Sequence, residues 1–328
     1  MIKIHHLDCG CMCPFGGALF DGFSAGLRAH LCCHCLLLET ERDGLVLVDT
    51  GFGEQDVRDP TRLSRMVRLL NNIQFDPALT AVAQLRKLGL APADVRHILL
   101  THLDFDHAGG LADFPNATIH LMQDEYGAVR HLKGFLPRRR FVPGQWRGID
   151  RWQLYREEGD EWFGFQSIRS VVDDVLLIPL RGHTAGHAGI AIRSESGWLL
   201  HAGDAYFFRH EIGHTTRQCT PGLRLYQRLM DTDHDRRMLN QHRLRTLSLE
   251  QPQLEIFCSH DARELARYSA TDAWPGQPSR WAGALRPGGT APSRAAARAT
   301  RRTSRAWPDS RSCLPPGSAR DRQTGCGR

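Results

Sequence analysis

The sequence predicts an α/β protein whose sheets are buried under helices, and three observations carry that expectation. Short apolar runs recur through residues 1–272: "GLVLVDTG" (44–51), "VRHILLTH" (95–102), "ATIHLM" (117–122), "DVLLIPL" (174–180), "GWLLHAGD" (197–204) and "LEIFCSH" (254–260). Each is too short for a core helix and reads as a buried strand. Amphipathic stretches lie between several of them. "PALTAVAQLRKLGL" puts Leu79, Val82, Leu85 and Leu88 on one face and stops at Gly89, an ordinary helix end. A second helix is expected over 222–239 and a third after Ser259, in "DARELARY". The third observation is the alternation itself, because strands interleaved with helices bury their faces as layers. Before the first of these strands, "CGCMCP" (9–14) and "CCHC" (32–35) are read as two early strands whose cysteines are small buried hydrophobes. Their C-x-C-x-C spacing departs from the C-x₂₋₄-C pairs of structural zinc sites.

The bulk numbers bound this reading. At 328 residues and 41% hydrophobic content the chain can bury a full core. The net charge of +6 resides in one place: residues 273–328 hold 11 Arg against 2 Asp, which leaves −3 on residues 1–272. A near-neutral, slightly acidic domain argues against nucleic acid as a partner, since phosphate backbones are held by Lys and Arg. The Arg/Pro/Gly/Ala-rich residues 273–328 show no period and are expected to be a disordered tail after a 1–272 domain. Neither an apolar run of about 18 residues nor a secretory h-region is present, so a cytoplasmic protein with no membrane partner and reduced cysteines is expected.

The strand ends carry the chemistry. Asp49 follows "LVLV", His102 follows "ILLT", His183 follows "LLIPL" closely, Asp204 follows "WLLHAG" and His260 follows "EIFCS". In α/β folds ligands gather where strands give way to loops. One histidine at a strand end is ordinarily a hydrogen-bonded surface residue, but five such ends joined by Asp104, Asp106 and His107 in "THLDFDHAGG" are not. Imidazole and carboxylate together suit Zn, Fe and Mn, and a pair of ions can hold hydroxide while polarising a substrate oxygen. In an extended or tightly turned segment, His102 and Asp104 can face one ion while Asp106 and His107 turn to a second, with Phe105 pointing back into the core. Gly109 and Gly110 would let backbone pass close beneath the ions.

With these motifs in order, the chain resembles the metallo-β-lactamase superfamily, whose signature is H-x-H-x-D-H followed by distant His, Asp and His. Here the run is "HLDFDH", then "GHTAGHAG", "HAGDA" and "CSHD", with "LVDTG" upstream, so the resemblance spans about 35–261. It implies an αββα sandwich of two mixed β-sheets flanked by helices, with two divalent metal ions at one edge. Zinc is the first choice, with iron or manganese as alternatives. Carried over by position, metal one takes His102, Asp104 and His183, metal two takes Asp106, His107 and His260, and Asp204 bridges. Asp106 is also counted as catalytic, and Asp49 would orient ligands by hydrogen bonding from outside.

Within the superfamily the chain is most similar to the lactonase-like branch, including N-acyl homoserine lactone lactonases, which share "FDHAGG" and a Tyr after the bridging Asp. Tyr206 stands two residues past Asp204, where three are expected, and is assigned the catalytic donor to the substrate carbonyl or leaving oxygen. Asp104 departs from the signature, which has His there. The flavodiiron proteins of the same superfamily have Glu, so an acidic ligand is compatible with metal and adds a harder donor. Trp146, Trp152, Trp162, Phe163 and Phe165 crowd 141–166 and are expected either in the core or as a wall for an apolar substrate. The implied activity is metal-dependent hydrolysis of an ester-like bond in a small molecule, most plausibly a lactone or carboxylic ester. The alternatives are a di-iron redox protein acting on oxygen, nitric oxide or persulfide, a phosphodiesterase of the same fold, and a metal-binding protein without catalysis.

Overall fold

A computed structural model describes residues 2–269 apart from 131, 133, 136, 195 and 196, and these residues form two β-sheets. The first comprises β1 (Lys3–Met12), β2 (Leu31–Glu39), β3 (Leu45–Val48), β4 (Ile73–Gln74), β5 (Val95–Leu99), β6 (Thr118–Met122) and β7 (Trp152–Tyr155), in the order β4-β1-β2-β3-β5-β6-β7. Strands β1 to β3 run antiparallel, whereas β3, β5, β6 and β7 are parallel. The second comprises β8 (Asp160–Trp162), β9 (Phe165–Arg169), β10 (Val175–Pro179), β11 (Ala188–Ser194), β12 (Gly197–His201) and β13 (Glu255–Phe257), in the order β13-β12-β11-β10-β9-β8. Only its β12–β13 pair is parallel among the described strands. All six apolar runs contain strands, and β3, β5, β12 and β13 each end before the Asp or His that closes the motif. The tail, 273–328, lies outside the described residues.

Helices α1 (Ala18–Asp21), α2 (Glu54–Arg58), α3 (Arg65–Asn71), α4 (Ala81–Lys87), α5 (Gln123–Val129) and α6 (Pro137–Arg140) accompany the first sheet, and α7 (Pro221–Met230), α8 (His234–Glu250) and α9 (Ala262–Ser269) come later. The "PALTAVAQLRKLGL" stretch is a short 3-10 turn followed by α4, whose start is capped by Thr80 accepting from Ala83 N at 3.2 Å. The single helix expected over 222–239 is two. Its break at 231–233 is used: Thr232 N donates to the carbonyls of Gly182 and His183, both at 3.0 Å, and Asp233 N donates to Gly182 at 2.8 Å. Asp233 then restarts the helix by accepting from Arg236 N at 3.0 Å. The interruption therefore clamps the loop that carries His183.

Period-two alternation sorts the side chains into three layers. Leu36, Leu38, Val46, Val48 and Leu99 of the first sheet meet Val175, Leu177, Ile190, Ile192 and Phe257 of the second between the sheets. Leu37, Leu47 and Ile98 point the other way, against Val82 and Leu85 of α4. On the far side Ile178, Ala191 and Leu200 meet Leu244 and Leu247 of α8. At roughly 1.5–3 kcal/mol for each fully buried branched side chain, these layers hold the strands in register. The architecture is the αββα sandwich that the resemblance implies. None of the described helices is long and apolar enough to cross a membrane.

Candidate metal centre

Loops leaving β5, β10, β12 and β13 bring all seven expected ligand residues together, each of them 5% exposed or less, and the loop leaving β3 adds Asp49. They fall into three groups of ligand-type atoms. His102, Asp104, His183 and Asp204 form one, and His107, Asp204 and His260 a second that shares Asp204. Asp106 joins His260 and Cys33 in a third group beside the second. Asp204 lies between them, with Oδ2 at 3.1 Å from His183 Nε2 and Oδ1 at 3.2 Å from His260 Nε2 and 3.4 Å from His107 Nε2.

What makes this a centre rather than a polar cluster is how the imidazoles are oriented. His107 Nδ1 donates to Asp49 Oδ2 at 2.8 Å and His260 Nδ1 to the Cys32 carbonyl at 2.7 Å. His102 Nδ1 donates to Thr101 Oγ1 at 2.9 Å, and that hydroxyl donates on to Asp49 Oδ2 at 2.8 Å. His183 Nδ1 faces Asp231 Oδ1 at 3.9 Å. With Nδ1 committed outward in His102, His107 and His260, these three rings turn Nε2 inward, the tautomer a metal ion requires, and His183 likewise sets its Nε2 toward Asp104 and Asp204. His107 Nε2 and Asp204 Oδ1 are buried with no hydrogen-bond partner. Orphaned inward atoms on a ligand-type set fit a divalent ion. Asp49 is held at φ 57° and receives Thr101 N at 2.8 Å as well, so it fixes both His102 and His107.

Electrostatics expose a residue that the sequence reading missed. Burial works against the charge of Asp104, yet the Arg140 guanidinium beside it, with His102 and His183, holds its carboxyl well below the usual range. Arg140, 4% exposed, donates from Nε to Asp104 Oδ1, sets Nη2 at 2.6 Å from His183 Nε2, and donates from Nη1 to the carbonyls of His183 and Met230. It thus meets two of the side chains assigned to metal one. Asp104 Oδ2 remains 3.0 Å from His102 Nε2 and 3.1 Å from His183 Nε2. Asp204 is likewise held low against burial, by His260, His107 and His183, whereas burial pushes Asp106 upward.

Three expectations need correction. Tyr206 is fully buried in the outer core of the second sheet, and its hydroxyl donates to Glu264 Oε1 at 3.1 Å rather than facing the ligands. The neighbouring Phe207 is the aromatic that packs on His260 and His183, with ring centroids at 4.9 and 5.6 Å. Tyr226 on α7 packs on Phe207, with ring centroids at 6.0 Å, and gives its hydroxyl to Asn71 Oδ1 at 3.0 Å. Second, of the two alternatives for the 141–166 aromatics the wall falls away and core packing holds: Trp162 and Phe165 are buried, Trp146 and Trp152 pack on the first sheet's outer core, and Phe163 sits at a hairpin turn. Arg140, just before that segment, is what reaches the centre. Third, Gly109 and Gly110 give clearance to protein, not ions. A Cβ at Gly109 would lie 2.6 Å from the Gly51 carbonyl, and one at Gly110 3.1 Å from the Thr50 side chain.

Two further groups tie the loops. Glu125 accepts from Leu103 N at 3.1 Å and Gly186 N at 2.9 Å, joining the "HLDFDH" loop to the "GHTAGHAG" loop. His187 accepts from Asp204 N at 2.9 Å through Nε2 while its Nδ1 donates to the Leu180 carbonyl at 3.0 Å. His187 was visible as the second His of "GHTAGHAG"; Glu125 has no signal in sequence.

Fold and centre together define the class, and comparison with known proteins agrees. Residues 32–260 match the family model for the metallo-beta-lactamase superfamily, and the chain belongs to that family. It is 39% identical over 279 residues to a probable metallo-hydrolase of Mycobacterium tuberculosis, Rv2300c, covering 82% of this chain and 84% of that protein. It is 29% identical over 215 residues to the N-acyl homoserine lactonase AiiA of Bacillus thuringiensis subsp. kurstaki, covering 64% and 78%. A solved N-acyl homoserine lactone hydrolase with the product N-hexanoyl-L-homoserine at its catalytic metal center superposes with a TM-score of 0.62 at 25% identity, covering 81% of this chain and 95% of that one. The chain is a metallo-hydrolase of this superfamily with lactonase-like relatives.

Proposed function

We propose that this protein is a dinuclear metal-dependent hydrolase that opens a lactone or cleaves a carboxylic ester of a small molecule. The observation that carries the reading is the convergence of four imidazoles, three of them anchored outward by hydrogen bonds, with Asp104 and Asp204 on two groups sharing Asp204, and with Asp106 beside His260. His102, Asp104, His183 and Asp204 would hold one divalent ion, and Asp106, His107, His260 and Asp204 the other, with zinc as the expected metal. Ions there would lower the pKa of water to about 7 and polarise a carbonyl oxygen.

The protein's own part is positional. Asp49 and Thr101 keep His102 and His107 in the ligating tautomer, and His187 and Glu125 hold the loops at fixed separation. The lactonase names of the relatives support an ester-like bond. The redox reading rested on the extra charge of Asp104, and Arg140 neutralises that charge.

The test is metal analysis of protein purified without added metal, followed by a panel of lactones, carboxylic esters and phosphodiesters. Two divalent ions per chain and turnover of a lactone or ester, abolished in folded His107→Ala and Asp204→Asn, are expected. Full activity in either variant would refute the mechanism, and iron with reduced-flavin-driven oxygen consumption would replace it with the redox reading.

A further inference from the structure

The early cysteines divide into two kinds. Cys9 and Cys35 belong to the outer core of the first sheet, and Cys33 to the apolar cluster around Phe52 and Phe105. These are the buried small hydrophobes that the sequence suggests. Cys11 and Cys13, each 6% exposed, belong to no apolar cluster among the described residues. Standing two apart on an extended segment, they share a face. His30, arriving just before β2, completes a group in which one ligand atom from each residue lies within 4.8 Å of the others. Cys11 Sγ is 3.3 Å from Cys13 Sγ and 3.1 Å from His30 Nδ1.

We propose that Cys11, Cys13 and His30 form a second metal site, separate from the His/Asp centre, for a thiophilic d¹⁰ cation, Zn²⁺ or Cu⁺. Thiolate sulfur with imidazole selects these ions over Mg²⁺, Ca²⁺ or Mn²⁺. In a tetrahedral site with Zn–S of about 2.3 Å and Zn–N of about 2.0–2.1 Å, neighbouring sulfurs stand roughly 3.8 Å apart, and sulfur and nitrogen roughly 3.6 Å. The observed separations are about half an ångström shorter, which a small opening of the side-chain torsions supplies. The backbone is already pinned. Cys13 N donates to the Asn71 carbonyl at 3.0 Å, Asn72 Nδ2 donates to the Cys13 carbonyl at 2.9 Å, and His30 N donates to Asp21 Oδ2 at 2.8 Å. Preorganised ligands of this kind make a site rather than a chance contact.

The surroundings favour one thiolate of the pair, because the hydrogen bond to Cys13, then burial and Asp8, push the Cys11 thiol up. The Cys11 hydrogen bond, then His30 and Arg28, bring the Cys13 thiol down to about 5 despite its burial. Asp8, whose charge is felt by both Cys11 and His30, has a buried Oδ1 with no hydrogen-bond partner. Three protein ligands leave the fourth position to water, which reaches the site through half-buried His30.

The test uses the full chain. Metal-depleted protein is titrated with Co²⁺ as a stand-in for Zn²⁺, and separately with Cu⁺, while thiolate-to-metal charge-transfer absorption is recorded. The wild type, Cys33→Ser and His107→Ala should all show the Co²⁺ band or the Cu⁺ band, and Cys11→Ser and Cys13→Ser should lose it. Native mass spectrometry should show one ion fewer in the latter pair. Should either serine variant fail to fold, His30→Gln keeps both thiols and should weaken binding at least tenfold. In the wild type, Zn²⁺ should also protect Cys11 and Cys13 from alkylation. Absence of both bands in the wild type, or equal metal content and equal alkylation with and without Zn²⁺, overturns the proposal.

Discussion

The contact between Arg140 and Asp104 makes a sharp prediction, because the guanidinium holds the same side chains that would hold an ion. In Arg140→Met the stem is kept and the charge removed. Asp104, 2% exposed, is then left without its cation, and His183 Nε2 and the carbonyls of His183 and Met230 lose a donor. Removing one partner of a buried ion pair costs about 3–5 kcal/mol. In a domain of this size that is a fall in Tm on the order of 10 °C for metal-free protein. If an ion and Arg140 compete for Asp104 and His183, the penalty vanishes once metal is bound. By the thermodynamic cycle, the variant then binds that ion more tightly by the same 3–5 kcal/mol, roughly a hundred- to several-thousand-fold. Urea unfolding in chelator and in saturating Zn²⁺, with calorimetric titration of metal, measures both legs. An equal stability loss in both conditions with unchanged metal affinity would refute the competition and leave Arg140 as a plain structural cation.

Other outcomes follow from the same geometry. Glu125→Ala strips the acceptor from Leu103 N and Gly186 N, so it should cost about 2–5 kcal/mol and weaken metal binding ten- to a hundredfold, read by denaturation and metal titration. Burial pushes the Glu264 carboxyl up to about 8. Between its unfolded value and that one, the folded chain binds the extra proton, so this group's contribution to stability falls as pH rises, by at most about 1.4 kcal/mol per unit. Glu264→Gln should remove that slope between pH 5 and 8 in unfolding curves, and an unchanged slope would count against it. Tyr206→Phe should alter stability and leave kcat alone; a lowered kcat with stability intact would restore Tyr206 to the site.

The ligands were legible because metal chemistry accepts few residue types, and strand ends place them where sequence can see them. Asp49, His102, His183, Asp204 and His260 each close an apolar run, so strand and ligand were read together. The sandwich itself was less legible. Alternating faces such as Leu36 and Leu38 against Leu37 show burial on both sides of a strand but not which sheet covers which face. The helix break at 231–233 was missed because apolar periodicity does not reveal that two backbone N–H groups are needed by residues 182 and 183, some fifty positions earlier. Tyr206 was misplaced for a related reason: two residues past a ligand, a side chain faces the site or the core according to loop geometry that the sequence does not specify.

Arg140 shows where reading ligands one at a time stops working. Considered alone, Asp104 is an added negative charge in a group that already contains Asp204, and it suggests a harder metal. Considered with Arg140, it is half of a neutral pair, since the guanidinium lies against it and the centre's formal charge returns to that of a signature with His at 104. The two positions then function as one substitution. Asp104→His alone should therefore do worse than Asp104→His with Arg140→Met, because the single change leaves a buried guanidinium facing imidazoles with no carboxylate between. Metal content and unfolding free energy of the two variants decide it. If the single variant is as stable and as metal-loaded as the double, Asp104 and Arg140 are independent, and the charge of Asp104 must be accounted for by the metal after all.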